Sequence, residues 1–235
     1  MKRCSARDGT DPYRSLRPPA NIAVALLTLG VIAGAAAFVL EMNHYGVLSD
    51  LNRGASLGLG DRNHAEELTR AADLVRFAVF LAAAIAFLAW FSRAYRNLGR
   101  LGVAGLRYTP GWALGAWFVP ILNLFRPKQV ANDIWRATDP RQHDTGWQGR
   151  DVSPWLQWWW ALWVAGGIFG NQAAFAQIEA RSVSEQLRAS SFAIVADVLF
   201  ALSAALAIAV VSAVTVRQEA RAQALSEEAQ TLAPV

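Results

Sequence analysis

The chain has 235 residues, of which 54% are hydrophobic and 17% charged, with a formal net charge of +4. Its charges lie outside a few long apolar runs, whereas a soluble domain would interleave them. The single cysteine, Cys4, excludes an internal disulfide framework and a cysteine-built metal cluster. Only two of the 22 basic residues are lysines, Lys2 and Lys128, and the basic surplus is distributed as membrane topology requires, so no nucleic-acid partner is expected.

Residues 1–19 form a polar, basic tail with Lys2, Arg3, Arg7, Arg14 and Arg17. Residues 22–40 are uncharged and free of proline, and at 1.5 Å per residue they just cross a hydrocarbon slab of ~30 Å. That length reads as a retained first span and not as a cleaved leader. Gly30 and Gly34 make a GxxxG face on it, which suits close approach of another helix; an alanine-rich helix with no partner preference is the equal alternative. Residues 41–73 read as a polar connection whose first half Gly46, Gly54, Gly58 and Gly60 keep irregular. Asp61 then caps DRNHAEELTRAADL. The second span, residues 74–91, leads into Arg93, Arg96 and Arg100, one stripe on the emerging helix.

The middle of the chain, YTPGWALGAWFVPILNLFRPKQVANDIWRATDP, is too apolar for a wet loop. From Pro110 to Phe125 there are only 16 residues, fewer than the ~20 of a span, and Pro120 removes a backbone donor in the middle. Residues 110–126 are therefore expected to be a re-entrant hairpin, followed by an interfacial helix over 127–138. On its wheel Pro127, Val130, Ala131, Ile134, Trp135, Ala137 and Thr138 face Lys128, Gln129, Asn132, Asp133 and Arg136 across the axis. Pro127 suits its first position, and Asp139-Pro140 stops it. A third span over 155–175 begins in an interfacial cluster of Trp155, Trp158, Trp159, Trp160 and Trp163 and carries a second small-residue face at Gly166 and Gly170. Residues 173–190 read as a connection with capping-box spacing at Ser182 and Glu185. The fourth span covers 192–216, and 217–235 is a tail expected to be helical at first and then frayed. No internal repeat suggests a transporter built from inverted halves.

Charge decides between four spans with a re-entrant middle and five with that stretch crossing. The four-span arrangement places sixteen basic residues inside and six outside, while five spans give eleven on each side. The expectation is an all-α, polytopic plasma-membrane protein: a cytoplasmic tail over 1–19, a four-helix membrane domain over 20–216, and a cytoplasmic tail over 217–235.

The run WFSRAYRNLG, then GWALGAWFVPILNLFRPKQVANDIWRATDP, then the WWWALW block resembles a bacterial membrane family catalogued as a domain of unknown function (number 4328). Trp90, Arg93, Arg96, Asn97, Gly111, Trp112, Gly115, Trp117, Pro120, Asn123, Pro127, Trp135, Trp159 and Trp160 are among the positions that carry the likeness, which covers roughly residues 70 to 215. The resemblance implies an integral membrane protein and supplies no reaction, ligand or catalytic residue.

Asp197 is the one acidic residue deep in an expected span, and Arg76 stands near the same boundary, so an Asp197–Arg76 ion pair is expected, with a proton or cation site as the functional alternative. Asn123 and Arg126 at the exit of the hairpin, with Arg93 and Arg96, make either a site for an anionic lipid headgroup or ordinary positive-inside anchoring. His44, His64 and Glu67 are too dispersed for zinc, and His143 stands alone. No nucleophile elbow, phosphate loop or zinc helix motif occurs, so neither cofactor nor catalytic set is expected. Cys4 reads as a free thiol. The sequence favours a non-enzymatic membrane scaffold or partner-binding protein that assembles with copies of itself or another membrane protein. The alternative is a small-solute or ion pathway lined by the hairpin.

Overall fold

The structure, a computed structural model, describes residues 12–54, 59–139 and 146–232. Lys2, Arg3, Arg7, Cys4 and His143 lie outside the described residues, as do the side chains of Asp61 and His64. The described residues are helical and contain no strand: α1 (Arg17–Asn52), α2 (Leu59–Arg100), α3 (Pro110–Gly115), α4 (Arg126–Ala137), α5 (Pro154–Glu179) and α6 (Val183–Leu232), with 3₁₀ turns at Leu122–Leu124 and Trp147–Gly149.

Three of these helices, α1, α2 from Arg70 and α6, are long and apolar enough to cross a membrane. Between 11% and 28% of their most apolar windows is buried inside the protein, so most of that surface needs an apolar surrounding. The 26 residues of α5 reach ~39 Å, enough for a span. Its tryptophans and Gln157, Asn171 and Gln172 dilute its apolar character, and it does not join the three.

Helix ends differ from the sequence expectation in four places. α1 runs to Asn52, so residues 41–52 are helical and Gly46 is accommodated inside the helix. α2 opens at Leu59, which puts Asp61 inside the helix and not at its cap. The connection between α5 and α6 is only residues 180–182. There Ser182 Oγ accepts from Glu185 N at 3.4 Å while Glu185 Oε2 accepts from Ser182 N at 3.0 Å, a capping box that lets α6 begin early. α6 continues through the tail to Leu232, its 50 residues spanning ~75 Å. Hydropathy locates the apolar core of each helix, but the backbone continues in water for as long as propensity allows.

The described chain forms two compact units. One comprises Ala25–Ala84 and Trp158–Ile208. Within it the Gly166/Gly170 face is filled by the chain itself, whereas Gly34 on α1 faces open space. A Cβ on Gly166 would meet the Phe200 ring at 3.1 Å, and one on Gly170 would lie 3.7 Å from the same ring, so α5 seats that phenyl group closely. Gly30 faces Val79. Ser203 Oγ donates to the Trp159 carbonyl at 3.3 Å.

The other unit gathers Met1–Val24, Ile85–Gln157 and Ala209–Val235. Its core is aromatic. Phe87 and Phe91 meet the Trp117 ring edge-on at 5.9 and 5.6 Å, and Trp90 donates from Nε1 to Thr215 Oγ1 at 3.1 Å. Residues 110–126, expected to be a re-entrant hairpin, do not form a continuous helix. α3, capped by Thr109, ends after six residues, and the chain turns at Pro120 and Ile121. Ile121 has φ 68° and ψ −48°, and Leu122 N donates to the Pro120 carbonyl at 2.8 Å, closing a strained γ-turn.

α4 keeps its amphipathic register with one correction. Pro127, Val130, Ala131, Ile134 and Ala137 are buried, but so is Asp133, which the wheel places on the wet side. Residues 130 and 133 stand about 60° apart on a helix, so Asp133 borders the apolar face and is drawn in with it. The helix closes at Thr138, whose hydroxyl donates back to the Ile134 carbonyl at 2.7 Å.

Candidate functional site

The unit built from the hairpin, the N-terminal segment and the end of α6 holds most of the polar side chains that bond over long sequence separations. Asn97 is fully buried. Its Nδ2 donates to the Arg14 carbonyl at 2.8 Å and lies 3.4 Å from Gln218 Oε1, while Gln218 Nε2 donates to the Ala94 carbonyl at 3.0 Å. Glu219 accepts from Leu16 N at 2.6 Å, Ser15 Oγ at 2.8 Å and the Tyr13 hydroxyl at 3.1 Å. One carboxylate thus holds the entry to α1, and charge-assisted bonds of this kind are the strong class. Burial and then the Glu219 charge push the Tyr13 phenol well above its ordinary range.

The chain segments before α3 and after α4 are fastened to one another. Arg221 donates from Nη1 to the Ala137 carbonyl at 2.6 Å and from Nη2 to the Leu101 carbonyl at 3.2 Å, so one guanidinium bridges the chain before and after the hairpin. Trp147 Nε1 donates to the Ala104 carbonyl at 2.9 Å, and a Cβ on Gly105 would stand 3.1 Å from Gln148 Nε2. The Tyr95 hydroxyl donates to the Tyr108 carbonyl at 2.8 Å and accepts from Tyr108 N at 3.1 Å, fixing the approach to α3. The Tyr108 hydroxyl in turn donates to Gln129 on α4. Arg217 lies 4.0 Å over the Trp135 ring.

Between these segments the tip is apolar and uncovered. Phe118 and Ile121 are each 71% exposed, and Phe125 is 58% exposed. Arg126 lies at the base of this tip with its guanidinium 5.0 Å from the Trp112 ring centre and 5.5 Å from that of Tyr108.

α4 carries the unusual electrostatics. Asp133 is fully buried, and Arg107 Nη2 stands 3.3 Å from its Oδ1, an ion-pair distance without hydrogen-bond geometry. Burial pushes this carboxyl up to about 6, against the opposing pull of Arg107 and Arg136. Lys128 donates to Asn132 Oδ1 at 2.6 Å, and burial followed by the Arg136 charge lowers its ammonium to about 8. The Arg136 Nε is buried with no hydrogen-bond partner.

The residues singled out from sequence are dispersed. Arg76 and Asp197 are joined in the other unit, and Arg76 also meets Asp73 at 3.1 Å. Arg93 donates to the Ser15 carbonyl at 3.3 Å, Arg96 is exposed, and Arg126 lies on its two rings, so the arginines grouped around Asn123 have separate surroundings. Asn123 is half-buried just after the γ-turn, where its backbone N–H donates to the Val119 carbonyl at 3.0 Å. Pro120 occupies the turn itself. His44 lies within α1, and among the described residues no three metal-ligating side chains converge. Gln218, Glu219 and Arg221 escaped sequence reasoning because each looks like an ordinary polar residue of a helix end, and Asn97 stood out only as one of the positions that carry the family resemblance.

Residues 53–216 match the model of a family described as a domain of unknown function, DUF4328. No curated protein matches the chain, and no solved structure does.

Proposed function

From a chain that belongs to the DUF4328 family and has three helices long and apolar enough to cross a membrane, we propose a multi-pass membrane scaffold that binds partners and performs no reaction. In this reading α5 is a fourth span, the protein resides in the bacterial plasma membrane with both termini cytoplasmic, and the segment from Pro110 to Arg126 dips into the bilayer and returns. The carrying observation is the fastening of the hairpin feet. A crossing segment would separate its two ends by a slab of ~30 Å, whereas Trp147 and Ala104 are hydrogen-bonded at 2.9 Å. Exposed Phe118, Ile121 and Phe125 suit a tip immersed in lipid.

The scaffold reading draws on how the polar groups are spent. Asn97, Gln218, Glu219 and Arg221 bind backbone carbonyls, amides and hydroxyls of the same chain, which builds a rigid platform at the base of the exposed end of α6. Photo-crosslinkers at Gln223 and Glu227, tested in native membranes, should capture one discrete partner or a second copy. Replacement at lipid-facing Phe80 should capture none. The alternative, a permeation pathway, is favoured by the half-buried Arg76 shared between Asp73 and Asp197. Proteoliposomes that leak ions or small solutes in a manner dependent on Asp197 or Asn123 would overturn the scaffold reading in its favour.

A further inference from the structure

α4 carries a second feature that the platform does not use. Lys128, Asn132 and Arg136 occupy positions i, i+4 and i+8, one stripe along the helix, and all three are half-buried. Among the described residues neither cation has a carboxylate within ion-pair distance. The nearby acid, Asp133, is at ion-pair distance from Arg107 alone and attracts Arg136 only from farther off. Lys128 is satisfied only by the neutral Asn132 amide oxygen, and the buried Arg136 Nε donates to nothing. Two partly desolvated cations that repel one another, one with an orphaned donor, form an arrangement that an oxyanion would complete.

We propose that Lys128, Asn132 and Arg136 form a binding site for a phosphate-bearing anion. The ammonium supplies a point charge, the guanidinium supplies two directed donors, and the Asn132 amide, whose oxygen is held by Lys128, has its N–H groups left to offer the same anion. A phospholipid headgroup and free inorganic phosphate share this chemistry. The site stands on α4 alone and does not require the hairpin to dip into the bilayer.

Because the chain has two lysines, reductive ¹³C-methylation gives two lysine signals beside that of the terminal amine, which titrates at lower pH than an ordinary lysine, and a Lys2→Arg variant separates the two lysines. The full-length protein is placed in phosphatidylcholine nanodiscs in a phosphate-free buffer of constant ionic strength, and the Lys128 signal is titrated. Phosphatidylglycerol is then added to the bilayer in one arm and inorganic phosphate to the solution in the other. The expected result is an upward move of the Lys128 midpoint by about one pH unit, a roughly tenfold gain in proton affinity. Arg136→Gln should abolish it, and Arg136→Lys, which keeps the charge but not the fork, should retain part of it. A move with phosphatidylglycerol alone identifies a lipid headgroup, and a move with inorganic phosphate as well identifies a site open to the soluble anion. A Lys128 midpoint indifferent to both probes, or a move that survives Arg136→Gln, overturns the proposal.

Discussion

Replacing Asp133 with asparagine should make the protein more stable at neutral pH, although it removes a residue that sits at ion-pair distance from an arginine. The carboxyl is fully buried and its titration is pushed from 3.8 to about 6, so the folded state prefers the protonated form. The Asp133 contribution to folding stability is then most favourable below pH 3.8, falls as pH rises towards 6, and carries its whole penalty above that. A rise of about two pH units corresponds to about 3 kcal/mol, which solvent screening through the exposed Arg107 reduces to about 1–2 kcal/mol. Asp133→Asn mimics the protonated form, so thermal unfolding in detergent, followed by tryptophan fluorescence at pH 7.5, should shift upward by about 2–8 °C. At pH 4.5 the gap between variant and parent should shrink. A variant less stable than the parent at pH 7.5 would refute the reasoning, because it would mean that Arg107 more than compensates for burial of the charge.

Three further outcomes are expected. Glu219→Gln weakens the hold on Leu16 N, Ser15 and Tyr13, costing about 1–3 kcal/mol, and limited trypsin digestion at Arg14 should accelerate while cleavage elsewhere is unchanged. Gly166→Ala pushes a methyl group against Phe200 at 3.1 Å and should lower thermal stability by about 1–3 kcal/mol, whereas Gly34→Ala, with nothing within 4 Å, should be neutral or slightly stabilising. Asp197→Asn and Arg76→Gln should each destabilise, and the double variant should recover part of the loss; a double variant no better folded than the worse single one would dissolve the pair as an energetic unit.

The sequence made the apolar cores of α1, α2 and α6 legible because hydrocarbon tolerates few charges, and it located the turn at Pro120 because proline withholds a donor. The capping box at Ser182 and Glu185 was legible for the same local reason. Features that depend on distant partners were not. Arg221 meets Leu101 across 120 residues and Trp147 meets Ala104 across 43, and no periodicity encodes such a contact. Asp133 was misplaced because a wheel sorts side chains by chemistry, while burial follows position, and 133 sits at the edge of a buried face. The glycine faces were visible, but whether they serve another copy or Phe200 of the same chain depends on which helix lies opposite.

The central claim is that the proline-broken middle returns to the side it left. Single cysteines at Leu106 and Gln148, introduced in a Cys4→Ser background, can be labelled in intact and in opened cells with a membrane-impermeant maleimide. Both positions should react only after opening, in keeping with feet that Arg221 and Trp147 tie together. Labelling of one position from outside and the other from inside would contradict the account and reverse the side assigned to every later loop.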